Sequence, residues 1–200
     1  LSASDATGKS ARQNGGLTQS AASQARPGCV TVMTVHRSKG LEFPVVFVAG
    51  TAHRFNNADT LSPVLFHREL GVGMTLRAPG GTSRYKTLPY AALSQTIRTE
   101  TLSEEMRILY VALTRAQDAL FITLPLKDAA GALKAPALYA NAGMTGPEAL
   151  QDFQSWSGWL LTAALRHPDS GALWAKTDFL PSQGDSAAPL AIRVLDAPDA

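Results

Sequence analysis

Apolar positions cluster in three short runs: Val30 to Val35 (VTVMTV), Pro44 to Ala49 (PVVFVA) and Asp118 to Leu124 (DALFITL). Being β-branched and apolar at successive positions, they predict strands of a sheet covered on both faces. Only His36 to Phe43 separates the first two, fewer than the roughly dozen residues of a βαβ crossover, so the link is a loop with at most one helical turn. Pro125 ends the third strand. A helical pattern precedes it. Thr101 and Glu104 have capping-box spacing, and SEEMRILYVALTRAQ contains no Gly or Pro. At about 100° per residue Met106, Leu109, Tyr110 and Leu113 form one stripe, with Ile108, Val111 and Arg115 on the opposite side. A shorter helix is predicted from about Tyr90 to Thr99. Another opens at Pro147 and runs through Leu150, Phe153, Trp156 and Leu160 or Leu161 to about Arg166, with apolar residues at core spacing.

Elsewhere the pattern is weaker. Residues 1–28 hold Ser, Ala, Gln and Gly with few large apolar side chains, which predicts a linker or disordered end. Residues 50–88 read as an irregular insertion with one or two short strands. Leu126 to Thr145 is small and punctuated by Gly and Pro, and residues 180–200 read as a second linker. No internal repeat is present. The expected organisation is a core domain over 29–125 and a helical extension over 126–179. With 200 residues, 45% of them hydrophobic, the chain is long enough for one domain with a real core. Its one cysteine, Cys29, supports neither a disulfide framework nor a Cys-based metal site. No stretch reaches the roughly 20 apolar residues of a membrane span, and a cytoplasmic location is expected. The chain starts without Met in polar text, so a piece of a longer polypeptide is expected.

Net charge is +2, but residues 1–99 carry 11 Lys and Arg against 4 Asp and Glu, while residues 100–200 carry 7 against 12. The basic half suits phosphates of a nucleotide or nucleic acid, or reflects scattered surface arginines. Two segments bear on that choice. TGKS at 7–10 lacks the earlier glycine of a phosphate-binding loop, Ala3 standing there, and no strand precedes it. TVHRSKGLEF at 34–43 is richer. Thr34, His36, Ser38 and Lys39 offer donors to phosphate oxygens, and Gly40 permits close backbone approach. Glu42 fits either a salt-bridge partner of the nearby cations or an acceptor for a ribose hydroxyl. A solvated hairpin and a phosphate-handling loop both remain open on these residues alone.

VTVMTVHRSKGLEFPVVFVAG at 30–50, followed by EEMRILYVALTRAQDALFIT at 104–123, resembles motifs V and VI of superfamily one helicases of the UvrD/RecB type. The spacer, with its PVLFHRELGVGM and KTLPYAAL stretches, is similar to the AddA branch, the helicase and nuclease subunits of bacterial double-strand-break repair. The resemblance implies an α/β fold: part of a RecA-like helicase domain 2A of the P-loop NTPase type, with a parallel sheet core, an irregular insertion and a C-terminal helical extension. It further implies that Thr34 and His36 touch the backbone of single-stranded DNA, that Gly40 and Glu42 serve the nucleotide, Glu42 at its ribose, and that Arg115 reaches the γ-phosphate across a domain cleft. The bland alternative for Arg115 is a surface pair with Asp118. ATP and magnesium are the implied cofactors, with the magnesium ligands outside this chain. Implied partners are single-stranded and duplex DNA, an upstream RecA-like domain and an AddB-type subunit. The phosphate-binding loop, acidic motif and motif IV arginine of that family are missing and expected upstream; a nuclease domain is expected downstream. Two rivals stay open: an ATPase-inactive helicase-like scaffold, and a UvrD-type repair helicase without a nuclease.

Overall fold

A computed structural model of the protein describes residues 28–78, 80–81, 83–143, 146–181 and 188–195. The TGKS segment and nearly all of the expected N-terminal linker lie outside the described residues, as does part of 180–200. The chain divides into one unit ending at Met33 and a second from Thr34 onward. In the first, residues 28–33 form no strand, and Val30 and Val32 are 91% and 92% exposed. The strand expected over Val30 to Val35 is therefore not formed. A strand exists only where a ladder partner takes its backbone groups, and among the described residues none pairs with it.

The second unit contains the other two expected strands. β1 (Phe43–Val48) and β5 (Ala116–Ile122) pair in parallel, Phe47 opposite Phe121, with an irregularity between Phe43 and Val45. Coverage on both faces is not realised among the described residues. Phe47 is 67% and Phe121 49% exposed, their rings stacked with centroids 4.6 Å apart. The insertion is more regular than its sequence suggests. β2 (Val64–His67), β3 (Gly71–Arg77) and β4 (Arg84–Lys86) make an antiparallel meander whose inner face meets a helix through Leu65, Tyr90 and Leu93. At Gly73 an added Cβ would lie 2.7 Å from the Tyr90 backbone, so only glycine lets β3 approach that closely.

That helix, α1 (Leu88–Leu113), is continuous over 26 residues and absorbs both predicted helices. Thr87 caps it, accepting from Tyr90 N at 3.3 Å while its hydroxyl donates to the Met74 carbonyl of β3 at 2.6 Å. Thr101, the cap expected from sequence, lies inside the helix. Its hydroxyl donates to the Ile97 carbonyl at 2.9 Å, and Thr96, Thr99 and Ser103 bond back one turn in the same way. Satisfied locally, these hydroxyls no longer compete with the helix. Leu109 is buried with Phe55, Phe153 and Trp159, flanked by Met106 and Leu113, as the stripe predicts. Tyr110 departs from it, being 66% exposed.

Beyond β5 come α2 (Ala129–Asn141), α3 (Pro147–Gln151), α4 (Trp156–Leu165) and α5 (Gly171–Trp174). α2 is unexpected because it carries Pro136 in its interior, which ordinarily breaks a helix. Pro136 is buried, and Leu133, Ala137 and Ala140 pack against Leu161, Leu165, Leu173 and Trp174, a contact strong enough to hold the turn. The single helix expected over Pro147 to Arg166 is broken between α3 and α4. Backbone groups at the break bond to the segment after β1: Phe55 N donates to Gln154 O and Ser157 N to Thr51 O. Within the expected linker, His167 Nε2 lies 2.7 Å from Ala188 O, and Ile192 packs on the α2–α4–α5 cluster. Among the described residues no helix is long and apolar enough to cross a membrane.

Candidate functional site

The 34–43 loop begins with one 3-10 turn, Val35–Ser38, as the short link requires. Thr34 stands at its start with extended backbone, its carbonyl accepting from Arg37 N and Ser38 N at 3.0 and 3.3 Å. Ser38 is buried and donates to Val35 O at 2.7 Å. It holds the turn from inside, so its expected role as a phosphate donor is withdrawn. Thr34, His36, Arg37 and Lys39 are exposed. Gly40 has φ +81, a left-handed conformation that costs other L-residues about 1–2 kcal/mol. It turns the chain from the 3-10 turn into β1. Because no strand precedes the loop among the described residues, its position at the carboxyl end of a strand is not realised there. The loop instead enters β1 beside the start of β5.

Arg115 lies just past the C-terminus of α1 and fastens this loop. Its carbonyl accepts from Phe43 N at 2.9 Å, its Nη1 donates to Leu41 O at 2.8 Å, and its Nε donates to Val111 O at 3.0 Å. The alternative pair with Asp118 is not formed among the described residues. A guanidinium has five N–H donors in a planar fork. The two strong bonds occupy one on Nε and one on Nη1, and Nη2 has a long 3.4 Å contact to Thr114 Oγ1. Beyond these three contacts the fork makes no further hydrogen bond among the described residues.

Glu42 is exposed, and its Oε2 accepts from Gln117 Nε2 at 3.1 Å. No ion pair joins it to a cation among the described residues, so the salt-bridge alternative is not realised. The loop carrying Gly40 and Glu42 thus meets Arg115 where the end of α1 and the start of β5 come together. Thr34 and His36 occupy the other limb of the same turn, which packs on α1. Sequence reasoning missed Gln117 and the Leu41 carbonyl. The first is an unremarkable polar residue and the second a main-chain atom, so neither carries a pattern. Among the described residues no three His, Cys, Asp or Glu side chains gather to hold a metal. A cleft of about 700 Å³ lies elsewhere, between the meander and α1, lined by Asp59, His67, Glu69 and Glu100 among others.

Comparison with known proteins identifies a family and relatives. The UvrD-like helicase C-terminal domain matches residues 13–127. A protein of Desulforamulus reducens is 41% identical over 157 residues, covering 76% of this chain and 12% of its own length. One of Geobacillus kaustophilus is 42% identical over 146 residues (72% and 12%), and one of Moorella thermoacetica 44% over 149 (72% and 10%). All three carry the name of ATP-dependent helicase/nuclease subunits. The chain spans about an eighth of the length of these relatives. With more than half of its residues matched, it belongs to the family of UvrD-like helicase C-terminal domains.

Proposed function

We propose that this chain is most of the RecA-like domain 2A of an ATP-dependent helicase/nuclease of the AddA type, acting in double-strand-break repair in the cytoplasm. One observation carries the reading. Arg115 is bonded to Leu41 and Phe43, through side chain and main chain, so the loop bearing Gly40 and Glu42 and the arginine at the end of α1 move as one piece. In this reading the free edge of the Arg115 fork meets the γ-phosphate and Glu42 accepts a ribose hydroxyl. Thr34 and His36, on the far limb, touch single-stranded DNA through its phosphates. An arginine neutralising charge on a transferring phosphoryl group contributes about 10³ to 10⁵ in rate. Closure on ATP then shifts Thr34 and His36 along the strand, and release resets them, which couples hydrolysis to translocation and duplex unwinding.

Magnesium, when bound, would supply charge neutralisation of the phosphates; the residues that would hold it and the phosphate-binding loop belong to the upstream RecA-like domain of the same polypeptide. An AddB-type subunit completes the assembly. Arg115→Ala in the full-length parent tests the reading. ATP turnover should fall at least about a hundredfold, and near-normal turnover would sink the assignment. On the DNA side, Thr34→Ala with His36→Ala should weaken single-strand affinity evenly across sequences and flatten its salt dependence, because phosphate contacts carry no sequence information. A sequence-selective loss would contradict the mapping.

A further inference from the structure

Glu42 is an exposed carboxylate at the entrance to β1, and its neighbours on both sides are fixed: Leu41 O by Arg115 Nη1, Phe43 N by Arg115 O. The side chain itself is held by one group, Gln117 Nε2, at 3.1 Å. Gln117 comes two residues after Arg115. Gln117 supplies a neutral amide donor to Oε2 and leaves Oε1 and the remaining lone pairs as acceptors. A carboxylate on a free side chain would lose its rotational freedom only when nucleotide arrives; one already clamped has lost it beforehand.

We propose that Gln117 is a positioning residue that aims the Glu42 carboxylate at the sugar hydroxyls of the nucleotide and thereby sets selectivity for a ribonucleotide over its deoxy analogues. This rests on the ribose role of Glu42 given above, and the two claims fail separately. The experiment uses the full-length parent, with kcat and KM measured for ATP, 2′-deoxy-ATP and 3′-deoxy-ATP. Glu42→Ala raises KM for ATP about tenfold and removes the preference for ATP over whichever analogue lacks the bonded hydroxyl. Gln117→Ala raises KM for ATP about threefold, narrows the same preference and leaves kcat and the thermal midpoint unchanged. Gln117→Lys keeps a donor and restores the preference. Gln117→Glu sets a second carboxylate against the first and loses about tenfold. If the parent shows no sugar preference, or Glu42→Ala leaves it intact, the ribose role is wrong and this inference goes with it. If Glu42→Ala removes the preference while Gln117→Ala does not change it, only the positioning role is overturned.

Discussion

Arg115 has two roles that single substitutions can separate. Its bonds to the Leu41 and Val111 carbonyls are side-chain to backbone contacts at a partly buried site. Such bonds contribute about 0.5–1.5 kcal/mol each. Arg115→Ala should therefore cost the isolated chain about 1–2 kcal/mol in denaturant unfolding, where a free surface arginine would cost nothing. Arg115→Lys should recover part of that stability and little of the parent's turnover, since a point charge cannot hold a carbonyl and a phosphate in one plane. Tyr139 offers a residue-scale test of the helical part. Its hydroxyl donates to the Asp152 carboxylate, and that bond, with burial and the carboxylate's charge behind it, raises the phenol above the ordinary tyrosine range. A raised value favours the protonated form in the fold. The stabilisation is thus complete below about pH 10 and is lost as pH climbs through the phenol's own higher value. Tyrosinate absorbance should show a late increment that is absent in Tyr139→Phe and moved to lower pH in Asp152→Asn.

Among the elements, β1 and β5 were legible because a short apolar β-branched run is a local signal that parallel pairing preserves. α1 was legible as helix but not as one helix. The Thr101–Glu104 spacing is a cap only if the chain bends there, and packing of Tyr90 and Leu93 on the meander and of Leu109 on Trp159 keeps it straight. Thr101→Ala should accordingly leave stability within about 0.5 kcal/mol, while Thr87→Ala should cost about 1 kcal/mol as a true cap does. The close approach of β3 to α1 is stricter. Gly73→Ala would press a methyl group into the Tyr90 backbone and should cost about 1–3 kcal/mol, read in the same unfolding experiment. α2 escaped the sequence because Pro136 signals a break, and its survival depends on Leu161, Leu165 and Trp174 from distant positions. The loop showed phosphate donors in its sequence, but the individual roles of its residues and of Arg115 came only through resemblance to a known family. Gln117 carried none, its partner lying 75 residues away.

As a whole, the chain leaves apolar surface uncovered. Val45, Phe47 and Phe121 are exposed on one face of the parallel pair, and Phe66, Val72, Met74 and Tyr85 on the outer face of the meander. Patches of this kind promote association, so Phe47→Ser with Phe121→Ser should raise the concentration at which the isolated 200 residues stay monomeric, measured by sedimentation. The isolated chain should also show no ATPase, with or without single-stranded DNA, and no better than millimolar ATP affinity by calorimetry; tight stoichiometric binding would contradict the proposed site. At this scale α1 acquires a mechanical meaning. Its 26 residues span about 39 Å, from the meander at one end to Arg115 at the other. It is held near its N-terminus by Tyr90 and Leu93 against the meander and near its C-terminus by Leu109 against Phe55, Phe153 and Trp159, which makes it a strut clamped at both ends. A strut of that kind cannot swing at one end alone, so the meander and the loop fastened by Arg115 keep a separation set by the length of one helix.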